Sequence, residues 1–383
     1  MRIGILTFWW SNDNYGQLLQ CYALQKFLRD AGHDAFLIRY NPKNDYVKTP
    51  FLVRCLKALN PILLCRYVRH KIDARESREE ASLHDRHFGD FRAKYIVQSE
   101  KVYDSYEQLK ENPPKADCYV VGSDQVWNFQ FYRNAAQCKD IIHAYFLDFG
   151  SPETKRMSYA SSWSCVNLRQ DIAGEIRPLL ARFDYVSVRE KSGIGLCRIC
   201  GREKAEVALD PTLLLRAEDY RALYHANVAT ERERPYLLLY MLGNKCDFDI
   251  RRAYDFAKSK NLEVVYVTGN SRVDKYEKTF ATILEWLYLV DNAEYVVTNS
   301  FHCGVFSVIF EKQFGVVPLQ GKFSRMNERM DELFETFGIG NRWLKDDFSI
   351  LEKEYAGITN IKDKERWNNI IAKITISKKL YHN

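Results

Sequence analysis

The sequence predicts an α/β protein with two doubly wound domains facing one cleft. Three observations carry that expectation. Apolar runs of strand length recur from residue 3 to residue 317. Segments with apolar residues at helical spacing alternate with them. Small polar residues and single cations gather where the runs stop, which is where open parallel sheets hold their ligands.

The elements follow in order. A strand at 3–8 opens the chain and runs into a polar loop, Ser11-Asn12-Asp13-Asn14-Tyr15-Gly16. Leu18, Leu19, Tyr22, Ala23, Leu24, Phe27 and Leu28 have helical spacing over 17–31, and Gly32 suits the end of that helix. A second strand is expected at 34–40. Residues 45–100 are rich in charge and helix formers without a clear strand, so they read as a helical insertion in the first domain. Within it, 51–71 mixes leucines with Arg54, Lys57, Arg66, Arg69 and Lys71. That is the pattern of a basic amphipathic segment able to rest on a membrane; packing on its own domain is the competing reading.

Strands are expected again at 117–122, 144–148, 156–160 and 185–188, with a helix over 168–182. Residues 201–235 read as a crossover. A second series then begins with the continuous apolar run 236–242, as a central parallel strand requires. Strands at 263–267, 295–297 and 314–317 alternate with helices at 248–260, 280–289 and 302–311. Helices at 326–336 and 363–378 finish the chain. The expected division is 1–200, 201–345 and a helical tail at 346–383.

Composition narrows the functional classes. A chain of 383 residues suits two domains. With 56 basic against 50 acidic residues, the net charge of +6 is too small for a nucleic-acid binder but suits an anionic small substrate. Of the ten cysteines only Cys197 and Cys200 are closely spaced, and no second ligand pair follows, so no metal site is expected. Neither a signal peptide nor an apolar run of membrane-spanning length is evident, and a cytoplasmic location is expected.

Four loops at strand ends carry the chemistry. Asn14, Tyr15, Gly16 and Gln17 offer hydroxyl-binding groups and a close backbone approach, or serve turn geometry. Ser123 and Asp124 form a tight polar turn, in which Asp124 either meets substrate or caps the next segment. Arg189 presents a fork for carboxylate or phosphate, with Lys191 close by; an ion pair to Glu190 or Asp210 is the alternative. Ser300, Phe301 and His302 stand where a strand turns into a helix, a site suited to an anion, and His302 can carry a proton there. A helix-cap or core histidine is the competing reading. Further on, Arg325, Asn327, Glu328 and Arg329 offer a second cationic cluster. Nucleophile-elbow, zinc-protease and phosphate-loop motifs are missing, which counts against those hydrolases and nucleotidases.

Five pieces in order resemble the polysaccharide pyruvyl transferase family: 14–24, 121–128, 187–193, 209–214 and 300–302. The resemblance implies two Rossmann-like domains in a GT-B-like arrangement. It implies transfer of a pyruvyl group from phosphoenolpyruvate to a sugar of a surface-polysaccharide precursor, as a cyclic ketal. Phosphoenolpyruvate is then the donor substrate, no cofactor is needed, and the acceptor is a sugar or lipid-linked saccharide met at the inner face of the membrane. An arginine matching Arg189 and a histidine matching His302 lie at the donor site of relatives. One departure stands out. Several relatives carry Arg-Leu-His where this chain has Ser300-Phe301-His302, so Lys191 or Arg325 is expected to replace the cation. Asp124 is a candidate base, with Asn14 and Gln17 facing the acceptor. A nucleotide-sugar glycosyltransferase and a non-catalytic sugar-binding relative are the alternatives on this scaffold.

Overall fold

The computed structural model describes residues 1–42, 61–130, 134–226, 234–243, 248–269, 274–344 and 347–355, with isolated positions such as 132 and 232. Seven strands form the first sheet: β1 (Arg2–Leu6), β2 (Asp34–Tyr40), β3 (Gln98–Tyr103), β4 (Cys118–Val121), β5 (Lys155–Ser161), β6 (Tyr185–Val188) and β7 (Glu206–Val207). Their order is β3-β2-β1-β4-β5-β6-β7, with every pair parallel. The second sheet holds β8 (Tyr236–Met241), β9 (Glu263–Thr268), β10 (Tyr295–Thr298) and β11 (Gln313–Val316), in the parallel order β11-β10-β8-β9. Central strands buried on both faces must be apolar throughout, and β8 has all six positions buried.

Strand order reverses between β1 and β4 in the first sheet and between β8 and β10 in the second. Loops leaving such neighbours diverge to opposite faces and open a crevice at the carboxyl ends. The loops after β1, β4 and β10 are three of the four singled out by sequence.

The helices are α1 (Tyr15–Asp30), α2 (Pro61–Leu83), α3 (Phe88–Tyr95), α4 (Tyr106–Glu111), α5 (Ala135–Tyr145), α6 (Gln170–Leu180), α7 (Lys191–Ile199), α8 (Ala217–His225), α9 (Arg251–Ser259), α10 (Ile283–Asp291), α11 (Phe301–Ile309) and α12 (Glu328–Phe337). The insertion does contain α2 and α3, but β3 begins inside its expected range. The strand expected at 144–148 is instead the buried end of α5 and the turn after it. The first sheet continues to Val207, beyond the expected boundary at residue 200. The helix expected at 363–378 and the first part of the 51–71 segment lie outside the described residues. No described helix is long and apolar enough to cross a membrane.

Tyr15 ties the two sheets together. Its ring stacks on Trp286 of α10 with centroids 5.1 Å apart, and its hydroxyl donates to the Ala281 carbonyl at 2.7 Å. Arg86 donates both to that hydroxyl at 3.0 Å and to the Thr268 carbonyl at 2.7 Å.

Candidate active site

The turn after β10 is built by three small polar side chains. Thr298 donates to the Tyr240 carbonyl at 2.7 Å and accepts the Ser300 N–H at 3.0 Å. Asn299 clamps the end of β8, accepting the Leu242 N–H and donating to its carbonyl. Ser300 is the N-cap of α11, accepting the Cys303 N–H at 3.4 Å. Eight of the nine residues of α11 are buried, so the helix is fixed and its first turn carries His302 to the crevice. There His302 meets α1: a Cβ on Gly16 would stand 2.2 Å from the imidazole Cγ and Nδ1. Only glycine at that position leaves the ring its place.

Asp210 is the hub beneath. Its carboxylate is fully buried and lies 3.0 Å from Arg189 Nη2 and 3.4 Å from His302 Nε2. Ser123 donates to the same oxygen at 3.2 Å, and Arg189 also donates to the Ser123 hydroxyl. Thr212 donates to the other oxygen through its N–H at 3.0 Å and its hydroxyl at 2.7 Å. Burial alone would raise the Asp210 carboxyl, but Arg189 and His302 beside it hold it far below the ordinary carboxylate range. One buried anion therefore joins a residue from the first sheet's last turns to a histidine from the second.

Two arginines crown the hub. Arg189 and Arg329, from the first turn of α12, place their guanidinium carbons 5.3 and 5.1 Å from the centroid of the Phe301 ring. Both are nearly buried. Arg189 Nε and Nη1 and Arg329 Nε make no hydrogen bond. Burial first, and Arg189 second, draw Arg329 down to about 10. Next to Arg189, Glu190 is buried and accepts from Ser162, Trp163 and Ser164 through one oxygen.

The structure thus brings Arg189, Ser123, Phe301 and His302 together, with Gly16 as the surface that His302 rests on. Other expected site residues turn to structural work. Asn14 caps α1 by accepting the Gln17 N–H at 3.3 Å, and the Gln17 side chain accepts the Ser11 N–H at 2.7 Å. Tyr15 is core. Ser300 is a cap. Asp124, at the edge of the site, accepts the Gln125 N–H at 2.7 Å. Lys191 points away, pairing with Glu335 at 2.7 Å on the surface. Arg325 lies in the turn Gly321–Asn327, and its side chain lies outside the described residues. The ion pair of Arg189 with Asp210, the alternative reading of that arginine, is present at 3.0 Å; Arg329 entered the sequence reading only as one of a cationic cluster.

A family model for polysaccharide pyruvyl transferase matches residues 14–320, which includes Ser123, Arg189, Asp210 and His302 and ends before Arg329. The chain belongs to the polysaccharide pyruvyl transferase family. No curated protein sequence matches it. This pyruvyl transferase family member is similar in fold to the Methanocaldococcus jannaschii UDP-GlcNAc 2-epimerase, solved with UDP-GlcNAc and UDP. The TM-score is 0.50 at 14% identity, covering 97% of this chain and 100% of that one. It is similar also to S. aureus MnaA, solved with UDP, with a TM-score of 0.50 at 9% identity over 97% of this chain and 96% of that one. At such identities the likeness speaks for a GT-B fold alone.

Proposed function

We propose that the protein transfers the pyruvyl group of phosphoenolpyruvate onto two hydroxyls of a sugar in a polysaccharide precursor. The observation that carries this reading is the cluster of Arg189 and His302 on Asp210 at the strand-end crevice, with unspent guanidinium nitrogens beside it. Phosphoenolpyruvate carries a carboxylate and a phosphate, and an arginine fork matches either group. In the reaction, the methylene carbon takes up a proton and C2 becomes electrophilic. One sugar hydroxyl attacks C2, phosphate leaves with the C–O bond electrons, and the second hydroxyl closes the ketal. The two hydroxyl protons balance the one gained by the methyl group and the one left to phosphate. His302 supplies the proton or neutralises the phosphate, Arg189 stabilises the developing charge, and Asp210 holds both in register. Asp124, at the edge of the site, is the candidate base toward the acceptor.

The test is turnover with phosphoenolpyruvate and a lipid-linked saccharide, read as phosphate release and as a product heavier by one pyruvyl group. His302→Ala retaining full turnover removes the histidine from the chemistry.

We further infer that α2 brings the protein to the membrane that holds such an acceptor. Leu64, Tyr67, Val68 and Ile72 are exposed on it, between 43% and 54% accessible. Arg69, Lys71 and Arg75 are exposed on the same helix. Apolar anchors among cations suit an anionic lipid surface.

A further inference from the structure

We propose that Arg329 is a second anion-gripping residue of the site, holding with Arg189 one negatively charged group of the donor, a carboxylate or a phosphate. The proposal rests on the phosphoenolpyruvate reading and adds a residue to it. It also explains the departure at position 300: the cation absent from the head of α11 is supplied by the head of α12.

The argument starts from a cost. A guanidinium taken from water without a partner is expensive. Arg329 is 7% exposed, its Nε makes no hydrogen bond, and none of the ion pairs among the described residues includes it. Its close neighbour is another cation, Arg189, over the same aromatic ring. Among the described residues no carboxylate is hydrogen-bonded or ion-paired to Arg329, although Glu190 Oε2 is itself buried without a hydrogen bond. Asp210 serves Arg189, His302, Ser123 and Thr212, and Glu190 takes three donors on one oxygen. Buried donors that lack acceptors are rare in native proteins and point to a missing partner. Here three such nitrogens, Arg189 Nε, Arg189 Nη1 and Arg329 Nε, belong to two neighbouring cations. A small oxyanion supplies both acceptors and counter-charge.

The competing role is a strut, in which Arg329 merely rests on Phe301. The two differ in sign. A strut stabilises the empty protein, whereas a partnerless buried cation destabilises it until the anion arrives.

Isothermal titration of phosphoenolpyruvate and of inorganic phosphate into wild type, Arg329→Met and Arg329→Lys tests this, alongside thermal midpoints without ligand. The expected result is a loss of affinity on the order of ten- to a hundredfold in Arg329→Met. Arg329→Lys should be intermediate, because it keeps charge and loses the fork. Ligand-free Arg329→Met should melt at or above wild type. Phosphoenolpyruvate bound equally by wild type and Arg329→Met overturns the inference and leaves the donor reading standing. Lower affinity together with a lower ligand-free melting temperature assigns the strut role and also overturns it. Inorganic phosphate bound through Arg329, with no binding of phosphoenolpyruvate, sustains the anion site and sinks the donor reading. No binding of either anion by wild type overturns both.

Discussion

The imidazole of His302 lies against the backbone of Gly16, with its Cγ and Nδ1 2.2 Å from the point where a Cβ would stand. Gly16 is in the first turn of α1 and His302 in the first turn of α11, so the contact joins the heads of helices from the two sheets. Gly16→Ala therefore drives the ring off Asp210. The expected cost is about 1–3 kcal/mol of stability, as for other overpacked sites, with turnover falling to the level of His302→Ala. Combining the two substitutions should cost little more than either alone. A double-mutant cycle on turnover checks this, and additive losses would separate the residues.

Asp210 carries the charge balance of the site. Asp210→Asn leaves Arg189 and His302 buried without their anion, and the expected loss is about 3–5 kcal/mol. Denaturant titration measures it. A loss under about 1 kcal/mol would show that solvent already compensates these cations.

Glu332 gives the α7–α12 contact a pH dependence. It accepts the Lys191 N–H at 2.6 Å, while its other oxygen is buried without a hydrogen bond. Burial is the main cause that raises its carboxyl from 4.5 to about 7, with Glu328 and Glu190 adding to it. The folded protein thus binds this proton more tightly than the unfolded chain. Its contribution is full below pH 4.5, declines as pH rises toward 7, and is gone above that. Discounted for partial exposure, the change is about 1 kcal/mol. Glu332→Gln should flatten the dependence of the melting temperature on pH in that window. An unchanged slope would place the titration elsewhere.

The exposed apolar row on α2 predicts co-sedimentation with vesicles rich in anionic lipid. Leu64→Asp with Val68→Asp should abolish it, and high salt should weaken it. Equal binding by the variant would assign membrane contact to another surface.

Much of the frame was legible in the sequence because central strands and the helices between them have strong periods. The run in β8 and the spacing in α1 left little choice. β3 was hidden because Glu100, Lys101 and Val102 are exposed on this edge strand, which mutes the alternation. The run 144–148 misled because a short apolar stretch is the same in a buried helix end as in a strand; Phe146 is there to stack on Trp127. In the site, Arg189 and His302 were readable from strand ends. Asn14 and Ser300 are ambiguous in sequence, because the residue types that bind hydroxyls and anions at strand ends also cap helices, as both do here. Arg329 was blurred because its relation to Arg189 is set by how α12 packs, across 140 residues of chain, and no local pattern encodes that.

The central claim is the donor. Calorimetric titration of the wild-type protein with phosphoenolpyruvate, and separately with uridine diphosphate, tests it most directly. The account predicts saturable binding of phosphoenolpyruvate that Arg189→Gln removes, and no binding of the nucleotide. Binding of uridine diphosphate with none of phosphoenolpyruvate would contradict it and return the protein to nucleotide-sugar chemistry.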